Sequence, residues 1–318
     1  MRVRVFGVFL VASLCGACDA PEAAADEAQS LRKKLNNGMT LNGAGLNGIT
    51  LNGITLNGIT LNGITLNGSE FSATQTIDGA EVPVVGTEFI GAEFRLLQGN
   101  KFYTLEFTDI YKNPADPDGD VYFYDISVID GQDGTVSPLC EKNGQPTAAI
   151  PVQNLWDDWT GERYDKPEAV TFACRGFVIA KCVELGYRPW ATGTRCDSGG
   201  QNCQAVPLTE FHQACTRMLR ADYCGDGSPH TIDGTLIDIY DPLSPHVQAR
   251  STAGNPQWGV EAEWGPNGAV CAGSSLRLQL LDELNIQYKD PECLEELESL
   301  PDCGELPASR GGYLGNSY

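Results

Sequence analysis

The sequence predicts an α+β protein: an antiparallel, β-rich, disulfide-bonded domain with a cross-linked two-helix segment, preceded by a short repeat. Three observations carry this. Twelve of the 318 residues are cysteine, a usage foreign to a reducing cytosol. Segments beyond residue 71 alternate apolar with polar positions and are rich in aromatic and β-branched residues, as strands are. Two later stretches instead place apolar residues at helical spacing, with cysteines on the same faces. Hydrophobic residues make up 42%, with 36 glycines besides, which fits a globular chain rather than a disordered one. The 42 acidic against 21 basic residues give a net charge of −21, which argues against binding nucleic acid or anionic membrane through a broad basic face.

Taken in order, the N-terminus reads as an export signal over residues 1–17. Arg2 and Arg4 precede a ten-residue apolar run from Val5 to Leu14, too short to span a bilayer and the right length for a signal core. Small residues then lead to Cys18. Leu14-Cys-Gly-Ala-Cys18 resembles a bacterial lipobox with Cys18 as the lipidated residue, although Leu14 stands four positions before it rather than three. Ordinary cleavage near Ala17 to Ala20 is the alternative. Residues 18–35 read as a solvated tether with a short helix around Ala25 to Leu35. No later stretch is long and apolar enough for a transmembrane helix.

Residues 36–70 repeat with period five. Leu recurs at 41, 46, 51, 56, 61 and 66, each followed by Asn-Gly, and Phe71 keeps the phase. Residues 36–69 carry no charge. Five matches neither helix nor strand, and the pattern resembles the pentapeptide-repeat proteins, which coil as a right-handed four-sided β-helix. That resemblance implies parallel coils with Leu inside. So short an array must dock on the next domain, stack with other copies or stay mobile. A spacer or self-association element is the expected role.

Residues 71–306 form the disulfide-rich domain. The stretches Glu88 to Leu97, Phe102 to Phe107 and Val121 to Val128 read as strands of an antiparallel sheet, separated by turn residues. Thr171 to Leu185 reads as a helix with Cys174, Val178, Cys182 and Leu185 on one face and Gly186 ending it. Thr209 caps a second helix whose inner face holds Phe211, Cys215 and Met218. Residues 307–318 read as a flexible tail.

Ten cysteines remain after the signal region: 140, 174, 182, 196, 203, 215, 224, 271, 293 and 303. An even number in an exported chain predicts five disulfides. Cys174 and Cys182 cannot pair along one helix, because eight residues span about 12 Å. Two antiparallel helices would join 174–224 and 182–215; parallel ones would join 174–215 and 182–224. Cys196–Cys203 and Cys293–Cys303 read as local loops, leaving Cys140 for Cys271.

A series of motifs then resembles the ADYC domain family, over roughly residues 85–275. It runs through Phe172-Ala-Cys-Arg-Gly176, Ala180-Lys-Cys-Val183, Gly186-Tyr-Arg-Pro-Trp190 and His212-Gln-Ala-Cys-Thr-Arg-Met218. Arg220-Ala-Asp-Tyr-Cys-Gly-Asp-Gly227, His230-Thr231 and Gly234-Thr-Leu-Ile-Asp238 complete it. The resemblance implies a bacterial exported protein, often a lipoprotein and often with short repeats before the domain. It supplies no catalytic residue to carry over.

Several clusters offer chemistry, each with a structural alternative. Asp222, Asp226 and His230 place carboxylates near an imidazole, as a general base requires, but no Gly-x-Ser-x-Gly nucleophile elbow accompanies them. The alternative is a turn after a helix, with Asp and His bonding to backbone. His212 and Cys215 lack the paired-thiolate spacing of a zinc site. Asp116, Asp118 and Asp120 alternate like Ca²⁺ ligands but lack the rest of an EF-hand loop, so an acidic hairpin turn is the alternative. Trp156, Asp157, Asp158 and Trp159 present a sugar-stacking platform or, alternatively, core aromatics. The expected function is a lipid-anchored structural or interaction protein, periplasmic or at the outer membrane or cell surface. It is expected to need no cofactor, to bind no nucleic acid and to meet a protein or glycan partner. An exported hydrolase and a Ca²⁺-supported binder are the alternatives.

Overall fold

Strands apolar on both faces build the centre of the molecule. The computed structural model describes residues 35–36, 41–42, 49–50, 54–98, 101–157, 159–197, 200–251, 258–278, 291–303 and 312–318. The export signal, Cys18 and the tether up to residue 34 lie outside the described residues.

The largest sheet is antiparallel throughout. Across it the strands run Ile49–Thr50, Ala169–Cys174, Ala149–Gln153, Tyr122–Asp130, Lys101–Lys112, Ala92–Gln98, Thr55–Leu56 and Ile59–Thr60, with Val136–Pro138 added beside Tyr122–Asp130. Side chains alternate across the pleat, so one strand serves two cores. Tyr122 and Tyr124 enter one core, while Val121 and Phe123 enter the other. Phe172 and Cys174 likewise oppose Ala173.

The first core lies between this sheet and a three-stranded one, Asn62–Asn67, Glu70–Ile77 and Ala80–Val85. Phe71 is fully buried at its centre, with the rings of Phe89, Phe107, Tyr124 and Phe172 at 5.3 to 6.1 Å. The second core holds two helices, α1 (Val178–Glu184) and α2 (Thr209–Arg220). A five-stranded antiparallel sheet closes it: Leu35–Asn36, Leu236–Tyr240, Leu314–Ser317, Val260–Gly265 and Gly268–Ala272. A third helix, α3 (Pro291–Ser299), buries Cys293 and Leu297.

Four expectations need correction. First, the described part of the repeat is not a β-helix. Thr55–Leu56 and Ile59–Thr60 pair antiparallel about Asn57-Gly58, and both turn residues have positive φ, as a type I′ hairpin demands. At Asn57-Gly58 the repeat's Asn-Gly is hairpin chemistry, not a solenoid corner. Nor is the repeat a detached spacer, since Leu41, Ile54, Leu56 and Leu61 are buried in the two cores and the Asn42 amide accepts from Cys174 N–H at 3.0 Å. Gly68 closes the fit, because a Cβ there would lie 2.6 Å from the Asp120 carbonyl.

Second, the helix expected from Thr171 begins only at Val178. Ala169–Cys174 is a wholly buried strand, and Gly176, at φ +86°, turns the chain between the two. Third, Thr209 is helical rather than a cap, and its hydroxyl donates to the Pro189 carbonyl at 2.8 Å. Fourth, the expected tail ends in a strand: Leu314–Ser317 lies in the middle of the five-stranded sheet.

All ten cysteines pair, as 140–174, 182–215, 196–203, 224–293 and 271–303. Cys182–Cys215 and Cys196–Cys203 follow the sequence expectation, the former in its antiparallel form. The other three differ because Cys174 lies on a strand facing Cys140. That frees Cys224 for α3 and leaves Cys271 for Cys303.

Candidate functional site

The segment after α2 concentrates the charged residues that sequence singled out. Ala221 ends the helix in the left-handed conformation, φ +52°, and is fully buried. Its carbonyl accepts His230 Nδ1–H at 3.1 Å. The buried Asp222 carboxylate takes the Arg217 guanidinium at 2.6 Å and the Gly227 N–H at 3.1 Å. Burial pushes the Asp222 carboxyl up, against the pull of Arg217 and Arg220. Tyr223 stacks on Trp264, with centroids 5.1 Å apart, and its hydroxyl donates to Glu261. Cys224 is bonded to Cys293. Asp226 accepts from the Ser228 N–H at 2.8 Å and from its hydroxyl at 3.2 Å.

Asp222, Asp226 and His230 therefore share one turn, but each is engaged in holding it. Asp222 and His230 are buried, at 0% and 2% exposure. Neither of two surface clefts, of about 870 and 530 Å³, includes any of the three.

A second charged network lies directly beneath. The fully buried Glu261 carboxylate receives Arg277 Nε at 2.7 and 2.9 Å and also accepts from Asn316. Arg277 Nη2 donates to the Met218 carbonyl at 2.6 Å, linking the five-stranded sheet to α2.

The acidic loop holds a cation of its own. Asp116, Asp118 and Asp120 converge on Arg188; Nη1 lies 2.7 Å from both Asp118 and Asp120, and Nη2 pairs with Asp116. Trp190 Nε1 adds a bond to Asp120 at 2.7 Å. Burial alone raises the Asp116 carboxyl. The N–H groups of Val121 and Asp118, then Arg188 and the Asp120 N–H, outweigh it and hold the carboxyl below its usual range. The expected Ca²⁺ ligands are thus turned onto a guanidinium from across the fold. Among the described residues no cluster of three or more His, Cys, Asp or Glu side chains is arranged to hold a metal ion.

The paired tryptophans separate. Trp156 is buried and donates to Gln213 at 3.0 Å, while Trp159 is 88% exposed. Asp158 lies outside the described residues. Cys215 is in a disulfide, so the His212–Cys215 pair offers no thiolate.

His212 is fully buried, with Nε2 donating to the Ile179 carbonyl at 3.1 Å and Nδ1 without a hydrogen-bond partner among the described residues. Burial lowers it to about 3. An unfolded imidazole takes its proton near 6.5, so the unfolded chain binds more protons between those values and stability rises with pH across that window. Stability contributed by this group is therefore lost as the pH is lowered, by about 3 kcal/mol between pH 7 and pH 4. Urea unfolding of wild type and His212→Gln at both pH values checks it: the variant should lose about 3 kcal/mol less on acidification. Equal losses would refute the assignment.

A family model, that of the ADYC domain, matches residues 86–277, more than half of the chain. The chain belongs to the ADYC domain family. Neither a curated protein nor a solved structure matches it.

The four residues that name the ADYC domain have four separate jobs here. Ala221 reverses the chain, Asp222 clamps Arg217, Tyr223 reaches the five-stranded sheet and Cys224 fixes α3. The partners Arg217, Glu261 and Arg277 were not singled out in the sequence. The available signal was two arginines, 217 and 220, within an otherwise neutral or apolar stretch of α2, a poor fit to a solvent-facing stripe.

The 870 Å³ cleft of the ADYC domain lies elsewhere, beside α1 and the acidic loop. Of the chain's three histidines only His246 is half-exposed, and it lines this cleft. Its Nδ1–H donates to the Asp241 carbonyl at 2.7 Å. The Asp241 carboxylate orders the same loop through Tyr187, Leu243 and Gln248, at 3.0, 2.9 and 2.6 Å. Lys181 also lines the cleft, lowered to about 8 by burial and by Lys142. No serine or cysteine is among the described lining residues; Thr192 and Thr194 are the hydroxyls there.

Proposed function

We propose that the protein is an exported, lipid-anchored, non-catalytic member of its family, one that presents a rigid surface at the bacterial envelope. The observation that carries this is the use made of the ADYC turn: its acids and its histidine are committed to backbone and to buried arginines, not to an open site. Five disulfides support an oxidising compartment, and no helix among the described residues is long and apolar enough to cross a membrane. In this reading Cys18 carries the lipid and residues 18–34 set the domain off from the bilayer. The hydrolase alternative loses support from the burial of Asp222 and His230, and Ca²⁺-supported binding loses its ligands to Arg188.

Intact-mass measurement of protein recovered from the membrane fraction of an expressing bacterium tests the proposal. The expected species begins at Cys18, carries acyl chains and lacks ten thiol hydrogens. Free thiols in the domain would overturn export, and an unacylated Cys18 would overturn the anchor.

A further inference from the structure

Trp159 is 88% exposed near the tip of a hairpin. The hairpin pairs Leu155–Trp156 with Arg163–Tyr164. Asp157 Oδ1 accepts the N–H groups of Trp159 and Thr160 at 2.8 and 2.9 Å, and Asp157 N–H donates to the Glu162 carbonyl at 2.8 Å. From beneath, Gln213 donates to the Gly161 carbonyl at 2.9 Å and Arg217, already paired with Asp222, donates to the Thr160 carbonyl. Gly227 packs so closely that a Cβ there would lie 1.8 Å from the Trp159 carbonyl. The ADYC turn thus anchors this hairpin, and a large indole is held out in water beside backbone that is hydrogen-bonded at Trp159, Thr160 and Gly161. A pre-ordered aromatic of this kind makes an effective binding anchor.

The surroundings select the chemistry of the partner. Glu162 and Asp165 are exposed and Asp157 and Asp226 half-exposed; of the two basic side chains, Arg163 is turned in and paired with Asp165 and Glu210, and Lys166, just beyond the hairpin, is exposed. Tyr164 is 41% exposed, with its hydroxyl 3.5 Å from Glu162. The hairpin therefore offers aromatic faces within a surface on which exposed and half-exposed carboxylates outnumber exposed cations. Lys and Arg side chains suit such a surface, since they pair with carboxylates and sit well on indole faces.

We propose that the Trp159 hairpin is a docking site for a cationic, Lys- or Arg-rich segment of a protein partner. This rests on the display reading above and supplies its contact point. The overall charge of −21 would steer such a partner in.

Binding of a nona-arginine peptide to the intact oxidised chain, measured calorimetrically at two salt concentrations, tests it. Trp159→Ala should weaken binding about tenfold without shifting the melting temperature, because so exposed a ring contributes little to the core. Glu162→Gln should weaken it several-fold, and Glu81→Gln on the three-stranded sheet should not. Equal affinity for wild type and Trp159→Ala would reduce the association to bulk charge and overturn the site. Binding of a neutral oligosaccharide such as cellohexaose in place of the peptide would overturn the cationic partner. Neither result touches the mass measurement, so the display reading stands or falls separately.

Discussion

Replacing Asp222 with alanine should destabilise the protein by about 3–5 kcal/mol, because it leaves the Arg217 guanidinium charged and uncompensated in the interior. Both side chains are buried, at 3% and 0% exposure. Arg217 cannot swing out to water without abandoning the carbonyls of Thr160 and Pro266, so a single substitution loosens α2, the Trp159 hairpin and the turn at Pro266 together. Asp222→Asn should be milder, since an amide can still accept the Gly227 N–H. Removing both partners, as in Arg217→Met with Asp222→Ala, should cost less than the sum of the two single losses, because no buried charge is then left alone. It should still cost more than nothing, because the two carbonyls lose their donor. Reversible urea unfolding of the four variants measures this. Strict additivity would show that the pair does not act as a unit.

The same network shows what a sequence can and cannot disclose. Oxidation of all ten cysteines was legible from their even number and the apolar leader. The strands at Lys101–Lys112 and Tyr122–Asp130 were legible from alternation, and the family boundaries from the motif series. Ala169–Cys174 was not, because a strand buried on both faces has no polar alternation to mark it, and its cysteine falls by chance at helical spacing from Val178. One wrong element then displaced three disulfides. The Asn-Gly units carried a hairpin signal, but the five-residue period suggested a solenoid instead. Arg188 meets the acidic loop across about seventy residues of chain, a distance no local pattern encodes. Leu314–Ser317 has one apolar residue, so it resembles a tail; its place depends on Gly315 lying against the Tyr240 ring, where a Cβ would come within 2.3 Å.

Removing the Cys224–Cys293 bridge should be the most damaging disulfide change, about 4 kcal/mol in the chain-entropy model, against about 2 for Cys196–Cys203. The separations, 69 and 7 residues, set the ratio, since a longer closed loop restricts the unfolded chain more. The folded-state effects point the same way. Cys196–Cys203 closes an exposed loop beyond the hairpin of Thr192–Arg195 and Gln204–Pro207, which retains its own backbone ladder. Cys224–Cys293 attaches α3 to the end of the ADYC turn, and in this region a second bridge, Cys271–Cys303, ties the chain back to the five-stranded sheet. Among the described side chains α3 buries Leu297 and Cys293, and without the first bridge these are expected to be too little to hold nine residues against their conformational entropy. The Cys224→Ser/Cys293→Ser protein should therefore unfold at lower urea than Cys196→Ser/Cys203→Ser and be cut by protease near α3 while still folded. Equal midpoints, or α3 resisting protease as in wild type, would show that the helix is held by packing alone and that the cysteine of the ADYC motif is dispensable to the turn it ends.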